Sequence, residues 1–279
     1  MLSFNLGNQT FPVSTNSSEA QRYFDQGLNW CFAFNQEEGL VCFRKGLELD
    51  PVCAMFHWGI AYAAGPFYNM PWVDFSEAES IECTTFGRAH INKALTLSKE
   101  SEPLEYALVQ ALTQRIQKPK IASKEEFDRW DDDYADATRE VYRDFPEDYD
   151  VCALTAEALM VRTPWRLWDL QNRVAAEGAD TLEAIEIIES ALARVERNND
   201  AEHAGLLHFY IHIMEMSPEP ERALAAGDKL RPLVPGSGHL IHMPSHIYVL
   251  CGEYEKTTAS NIEAAAADEK YLKYDSELG

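Results

Sequence analysis

Hydrophobic and polar positions follow a helical periodicity along most of the chain. In the middle of the sequence this pattern predicts helices at residues 81–99, 103–117, 124–145 and 149–161, with polar faces rich in Glu and Lys. Two segments interrupt the pattern, Gly65–Trp72 and Thr163–Trp168, because their Gly and Pro residues cannot continue a helix. The chain is therefore predicted to be all-α.

Small and bulky residues recur in a fixed order between residues 20 and 64. The positions that define this order are Tyr23, Gly27, Trp30, Gly39, Phe43, Gly46 and Pro51. Small residues let two antiparallel helices approach closely, and the proline ends the second helix, as in a tetratricopeptide repeat. The same features return between residues 203 and 270, where Ala223 and Thr257 are separated by one full period of that repeat.

This repeat predicts the architecture and the domain organisation. We expect a tetratricopeptide-type helical-hairpin solenoid, a right-handed superhelix with a concave groove. Residues 1–17 would form an N-terminal arm and residues 18–279 a single solenoid, with clear repeats at 20–64 and 203–270 and a divergent helical middle at 81–180. No Gly/Ser-rich or Pro-rich linker divides the chain.

The charge balance bears on possible partners. The chain has 24 Lys and Arg against 46 Asp and Glu, a formal net charge of −22. A phosphate backbone or an anionic membrane would be repelled by such a surface, so we expect neither nucleic acid nor a membrane as a partner. Solubility alone is the simpler explanation of the acidity.

Cysteine usage and the N-terminus bear on location. The six cysteines include no C-x-x-C pair and mostly lie in apolar helical stretches, which favours reduced thiols. The N-terminus lacks the basic and apolar regions of a secretory signal, and no apolar run approaches the length of a membrane span. We expect a cytoplasmic protein.

The histidines follow the period of the repeat. His208 and His212 are four residues apart, so on a helix their side chains project from one face, and His242 and His246 have the same spacing. Each residue of the second pair follows its counterpart in the first by the same full repeat period that separates Ala223 from Thr257. Pro between the second pair is typical of the first turn of a helix.

In a tetratricopeptide array these repeat positions line the concave groove. His239 and Glu215 also fall at groove positions, which brings five histidines and one carboxylate to the same predicted wall. Helices packed about 8–10 Å apart allow imidazole side chains to meet. A single histidine is more often a packing residue than a ligand, but the duplicated pairs predict a metal site.

The ligand types limit the metal. Imidazole and carboxylate groups without a nearby cysteine fit a transition metal such as copper, iron or zinc rather than calcium or magnesium. The primary ligands would be His208, His212, His242 and His246. Glu215 and His239 would be further ligands or acid/base groups, and Glu215 could also orient a ligating histidine or act as a general base on bound water.

Other titratable residues fit simpler interpretations. His57 falls one step off the groove positions and is interpreted as a packing residue, and His90 lies on an ordinary helix with nothing near it in the sequence to indicate chemistry. The run Asp131–Asp133 is predicted to be a solvated helix face. The chain contains no G-x-S-x-G, Walker or H-E-x-x-H motif.

Nearly the whole chain resembles a group of tetratricopeptide-repeat proteins. The resemblance rests on the segments AQRYFDQGLNWCFAFN, FHWGIAYAAGPFYN, TPWRLW, HAGLLHFYIHIMEMSPEPERAL and GHLIHMPSHIY. It implies the solenoid fold but no reaction. Relatives typically read HPGA where this chain has His203–Leu206, which puts a ligand role of His203 in doubt.

Three functions remain open from the sequence. The first is a metal-dependent enzyme, an oxidoreductase that acts on a small organic molecule in the groove. Paired H-x-x-x-H helices resemble those of coupled two-copper oxygen sites, which favours copper and an oxidative reaction. Zinc or iron with three ligands and an open position would equally support hydrolysis or oxygen chemistry. The second is a non-catalytic scaffold that binds a peptide or protein in the groove, and the third is a zinc-type hydrolase.

Overall fold

A computed structural model describes residues 4–120 and 123–278, with side chains throughout these ranges except at residue 100 and residues 275–278. The described residues are mostly helical, which confirms the all-α prediction. They group into two compact units. The N-terminal unit is Thr10–Trp165, and the C-terminal unit combines Met1–Gln9 with Arg166–Gly279. The predicted arm and single solenoid stay predictions.

The N-terminal unit is a succession of helices in which neighbours along the chain pack together, α1 on α2, α2 on α3, α3 on α4, α5 on α6 and α6 on α7. Side chains of Ser17, Asn35, Ser76, Ser123 and Asp148 cap the starts of five of these helices. The helices are α1 (Ser18–Phe32), α2 (Gln36–Leu49), α3 (Ala54–Ala64), α4 (Glu77–Leu97), α5 (Pro103–Arg115), α6 (Lys124–Asp144) and α7 (Tyr149–Val161). The four helices predicted for the middle of the sequence are thereby confirmed.

Close helix packing in this unit depends on small residues against one aromatic ring. The buried ring of Phe43 lies between Gly27 on α1 and Gly59 on α3. A Cβ atom added at Gly27 would come 2.7 Å from the ring, and one added at Gly59 would come 2.6 Å from it. Only glycine therefore allows this approach, as the small repeat positions of the sequence imply.

A charged cluster is buried within the N-terminal unit. The Arg115 guanidinium is 1% exposed, lies 4.9 Å from the ring centroids of both Tyr62 and Tyr134, and is 3.5 Å from Glu157 Oε1. Asp131 is also buried, and desolvation raises its pKa to about 8 although Arg115 opposes the shift. The prediction that the Asp131–Asp133 run is a solvated face is therefore wrong for Asp131, which faces the packed interior.

The C-terminal unit begins with a short hairpin that the sequence did not predict. Strand β1 (Trp168–Asp169) pairs antiparallel with β2 (Val174–Ala175), with Trp168 opposite Ala175. The helices that follow are α8 (Thr181–Asn198), α9 (Ala204–Met214), α10 (Leu224–Leu230), α11 (Gly238–His242), α12 (Pro244–Leu250) and α13 (Tyr254–Leu278). Helix α10 packs against α9 and α12, while α13 packs against α11 and α12.

The cysteine side chains are free thiols. None of the six forms a disulfide bond, and five of them are buried, in agreement with the reduced thiols expected from the sequence. The sequence also predicted that no apolar run is long enough to span a bilayer. Within the ranges 4–120 and 123–278, no helix combines the length and apolar character that crossing a membrane requires.

Candidate metal centre

All five predicted histidine ligands lie in the C-terminal unit, on three helices. Helix α9 carries His208 and His212, α11 carries His239 and His242, and α12 carries His246. The Ser237 side chain accepts a hydrogen bond from the backbone N–H of Leu240 and so caps the start of α11. A short break at Met243 separates α11 from α12.

Pro244 occupies the first position of α12, which confirms the expected helix start between His242 and His246. The C-terminal end of α9 is held by the hairpin, because the Trp168 indole N–H donates to the Ile213 carbonyl over 2.6 Å. The start of α11 and the C-terminal end of α9 are therefore held by specific hydrogen bonds.

Three imidazoles form a compact group. The Nε2 atoms of His208 and His239 are 3.1 Å apart, and one ligand atom from each of His208, His212 and His239 lies within 4.8 Å of the other two. His208 is 0% exposed and His212 is 2% exposed, while His239 is partly exposed. We call this group the histidine triad.

The spacing of the triad fits a metal ion. Ligand nitrogens around tetrahedral zinc lie about 3.4 Å apart when each bond is about 2.0–2.1 Å. The Nε2 atoms of His208 and His239 are 3.1 Å apart, which is close to that value. No two ligand atoms of the triad are more than 4.8 Å apart, so a modest side-chain rotation would bring any of them to a bonding distance from a shared ion. The triad can therefore hold a metal ion.

Glu215, at the C-terminal cap of α9, links the triad to α12. Its Oε1 atom accepts a hydrogen bond from His212 Nδ1 over 2.9 Å, and its Oε2 atom accepts one from His246 Nδ1. Burial alone would raise the pKa of Glu215, but these two hydrogen bonds outweigh it and lower the pKa to about 2. Glu215 is therefore ionised over the whole physiological range.

Burial also controls the protonation of the triad. Desolvation lowers the pKa of His212, although Glu215 opposes the shift. Desolvation and the neighbouring histidines lower the pKa of His239 to about 3. Neutral imidazole is the form that binds a metal, so both rings are in the ligating state at neutral pH.

The other two histidines pair with each other. The Nε2 atoms of His242 and His246 are 2.9 Å apart, and His242 Nδ1 lies 2.6 Å from Asn261 Oδ1. His246 Nδ1 is the atom bound to Glu215. The six predicted site residues are thus adjacent: Glu215 contacts both His212 of the triad and His246 of the pair. The assignment of His208, His212, His242 and His246 as the primary ligands stays a prediction.

The contacts of Glu215 match one of its three expected roles. That role is to orient a ligating histidine. The two carboxylate oxygens accept hydrogen bonds from His212 and His246, as a carboxylate outside the metal ligands does when it holds a ligating imidazole. Its roles as a direct ligand or as a general base stay predictions.

No protein-family model matches this chain, and no curated protein matches it. The resemblance to tetratricopeptide-repeat proteins consequently stays a prediction from the sequence. The candidate site rests on its own residues and distances.

His203 lies beside this site but has a structural role. Its Nδ1 atom accepts a hydrogen bond from the backbone N–H of Leu206 over 3.2 Å, so the imidazole caps the start of α9. Its Nε2 atom lies 2.6 Å from the side-chain amide nitrogen of Gln9. The Nδ1 lone pair is thus taken by the cap of α9, which agrees with the doubt that the sequence raised about a ligand role.

Sequence reasoning missed one contact between histidines in the N-terminal unit. The Nδ1 atoms of His57 and His90 are 2.8 Å apart, although His90 had no indicative neighbour in the sequence. The two residues are 33 positions apart, close to one repeat period, and that interval is the signal that could have indicated the contact.

Proposed function

We propose that this chain is a metal-dependent enzyme whose ion is held by His208, His212 and His239. The observation that carries the proposal is the convergence of three imidazole nitrogens within 4.8 Å of one another. Three protein ligands with a remaining open position are characteristic of catalytic rather than structural metal sites. The low pKa values of His212 and His239 support the same proposal, because they keep both nitrogens available for the ion.

Within this proposal the reaction is an oxidation or reduction of a small organic molecule. Imidazole ligands suit copper, iron and zinc alike, and copper or iron would supply one-electron and oxygen chemistry. A zinc hydrolase would also need a general base for the attacking water. Glu215 is bound to the triad through His212, but both of its oxygens are occupied by His212 and His246. This favours oxidoreductase over hydrolase chemistry.

The tetratricopeptide arrangement is part of the proposal. It is supported by the packing of successive helices and by the small residues around Phe43. The full repeat period that separates His208 from His242 also places corresponding side chains on α9 and α11. In this arrangement the substrate would enter the groove next to the triad.

A scaffold that binds a peptide in the groove is the competing proposal, since most tetratricopeptide domains have that role. Such a scaffold has no need of buried neutral imidazoles held by a carboxylate. The triad therefore weighs against it, and metal content separates the two functions.

The test uses the full chain loaded separately with copper, iron and zinc and then dialysed. We expect about one tightly bound ion in the triad, and oxygen uptake with ascorbate or catechol for the copper or iron form. The His208→Ala/His212→Ala variant should lose both the ion and the uptake. The matched control is His57→Ala/His90→Ala, which removes a histidine pair at similar spacing from the N-terminal unit.

Two outcomes would contradict the proposal. If the wild-type chain retains no ion after dialysis, the metal centre is wrong and the scaffold gains support. If the ion is retained but oxygen uptake is no greater than in the triad variant, the oxidoreductase assignment is wrong. Hydrolysis of ester substrates by the zinc form alone would favour the hydrolase.

A further inference from the structure

The pair His242 and His246 differs from an ordinary hydrogen-bonded pair of histidines. Two neutral imidazoles form a good contact when the N–H of one ring faces the lone pair of the other. Which nitrogen carries the proton is decided by the partner of the second nitrogen on each ring. Both second nitrogens can be assigned here from their neighbours.

On His246, the second nitrogen is a donor. Nδ1 lies against Oε2 of Glu215, whose Oε1 atom accepts a hydrogen bond from His212 Nδ1 over 2.9 Å, so both oxygens of this carboxylate face histidine nitrogens. A carboxylate can only accept a hydrogen bond. The hydrogen of neutral His246 is therefore on Nδ1, and its Nε2 atom carries a lone pair.

On His242, the second nitrogen is also a donor. Nδ1 lies 2.6 Å from Oδ1 of Asn261 and 3.4 Å from the Ser245 hydroxyl, which can accept as well as donate. The nearer partner decides the role of Nδ1, and the amide nitrogen of Asn261 donates to the Thr257 carbonyl over 2.9 Å. Exchanging the oxygen and nitrogen of the amide would place two acceptors face to face at Thr257, so the orientation of Asn261 is fixed. The hydrogen of neutral His242 is on Nδ1, and its Nε2 atom also carries a lone pair.

When both rings are neutral, two lone pairs therefore face each other across 2.9 Å. That arrangement is repulsive unless a positive charge lies between the two atoms. With metal–nitrogen bonds of about 2.05 Å, an ion bound to both would have a nitrogen–metal–nitrogen angle of about 90°. Octahedral and tetragonal coordination both accommodate this angle.

The other contacts of the pair match those of metal ligands. A carboxylate and an amide oxygen hold the Nδ1–H groups of His246 and His242, as outer partners of ligating histidines do. The His246 side chain is 33% exposed, so an ion can reach the site from solvent. The negative charge of Glu215 would offset part of the charge of the ion.

The His57 and His90 pair supplies the contrast. Its Nδ1 atoms are 2.8 Å apart, yet among the described residues neither remaining nitrogen meets a carboxylate or amide oxygen. One ring can therefore donate to the other without a shared ion. A short distance between two histidine nitrogens does not by itself indicate a metal site. The His242 and His246 pair differs because acceptor oxygens lie against both of its Nδ1 atoms.

We propose that His242 and His246 bind a second transition-metal ion, so that Glu215 joins two metal sites through one carboxylate. This inference rests on the metal centre of the proposed function and extends it from one ion to two. The second ion has two protein ligands against three in the triad. It should bind more weakly and complete its coordination with water or substrate.

The experiment counts zinc ions bound per chain at equilibrium across a series of free zinc concentrations. The wild-type chain should fill in two steps and reach two ions. Both His242→Ala/His246→Ala and His208→Ala/His239→Ala should reach one ion, the first variant lacking the weaker step and the second lacking the tighter step. The control His57→Ala/His90→Ala should still reach two.

Each alternative gives a different count. A wild-type chain that saturates at one ion, unchanged in His242→Ala/His246→Ala, means that the pair shares a proton only, and the triad stands while this inference falls. A wild-type chain that binds none removes both the inference and the proposed function. Circular dichroism melting of each variant establishes that a lost ion does not reflect an unfolded chain.

A second measurement does not depend on substitutions. In the wild-type chain labelled with ¹⁵N-histidine, the second step of zinc addition should shift the Nε2 resonances of His242 and His246. The Nδ1 resonances of both rings should stay those of protonated nitrogens. Unchanged Nε2 resonances over that step would overturn the second site.

Discussion

Glu215 Oε1 accepts a hydrogen bond from His212 Nδ1 over 2.9 Å, across the last turn of α9. Because this contact holds a proton on His212 Nδ1, the nitrogen of His212 that remains available to a metal ion is Nε2. The other oxygen of the same carboxylate does this for His246. Glu215 thus contacts one histidine of the triad and one of the pair, and it helps to set the orientation of both rings.

Glu215→Gln should weaken metal binding while leaving every histidine in place. The glutamine amide has one acceptor oxygen, so one of the two Nδ1–H groups loses its partner and the site loses a negative charge. Loss of such an outer partner typically lowers metal affinity by about 10–100-fold. Competition with a chelator of known affinity measures the change.

Glu189→Gln is the matched control. Glu189 also accepts hydrogen bonds from two partners in the C-terminal unit, Tyr210 and Arg222, and lies outside the hydrogen bonds that hold the site histidines. Its substitution should leave metal affinity unchanged. Equal affinities in both variants and the wild-type chain would mean that Glu215 does not orient the ligands.

His203 should affect the stability of the protein rather than its metal content. His203→Ala removes the cap of α9 and should cost about 0.5–2 kcal/mol in the free energy of unfolding, measured by urea denaturation. His203→Asn should retain much of that stability, since asparagine is a favoured capping residue. Metal loss in the asparagine variant, with stability retained, would instead make His203 a ligand.

Asp131 should make the protein less stable as the pH rises. Its folded-state pKa is raised to about 8 from 3.8 by burial, so between these values the folded state holds a proton that the unfolded state has released. The free energy of unfolding therefore falls from about pH 4 to pH 8, by a few kcal/mol in order of magnitude.

Asp131→Asn isolates this contribution, because asparagine has nearly the same shape and no charge. The variant should equal the wild-type protein in stability below pH 4 and exceed it at pH 8, as measured by urea denaturation at each pH. A constant difference between the two proteins across that range would show that Asp131 does not titrate as described.

Gly59 tests the close packing of α1, α2 and α3. In Gly59→Ala the new Cβ atom would come 2.6 Å from the Phe43 ring, and the resulting overpacking costs about 1–3 kcal/mol. The better helix propensity of alanine returns about 1 kcal/mol at most. We expect a net loss of thermal stability, partly recovered in Gly59→Ala/Phe43→Leu, where the smaller side chain makes room. A more stable Gly59→Ala protein would contradict the packing.

The sequence predicted helices and histidine placement better than it predicted side-chain contacts. The two histidine pairs are separated by the predicted tetratricopeptide period, so His208, His212, His242 and His246 were expected at equivalent positions. Pro244 indicated the helix break beside Met243, but which nitrogens meet also depends on side-chain rotation, which the sequence pattern does not show. The sequence therefore assigned the six residues to related positions but did not predict which of their nitrogens lie close together, and their roles as ligands stay predictions.

Other differences have the same cause. Asp131 belongs to a run of three acidic residues, and its burial beside the charges of Arg115 and Glu157 depends on tertiary packing that the run does not show. The β1–β2 hairpin has two residues in each strand, too short to show an alternation of hydrophobic and polar positions. Features that depend on one or two long-range contacts are the ones that the sequence did not predict.

The most direct test of the metal centre is the metal content of the purified full chain after extensive dialysis, measured by inductively coupled plasma mass spectrometry. We predict at least one copper, iron or zinc ion per wild-type chain and loss of the tightly bound ion in His208→Ala/His239→Ala, whose Nε2 atoms are 3.1 Å apart in the wild-type protein. A folded wild-type chain that binds no transition metal, or a triad variant that retains as much metal as the wild type, would contradict the account.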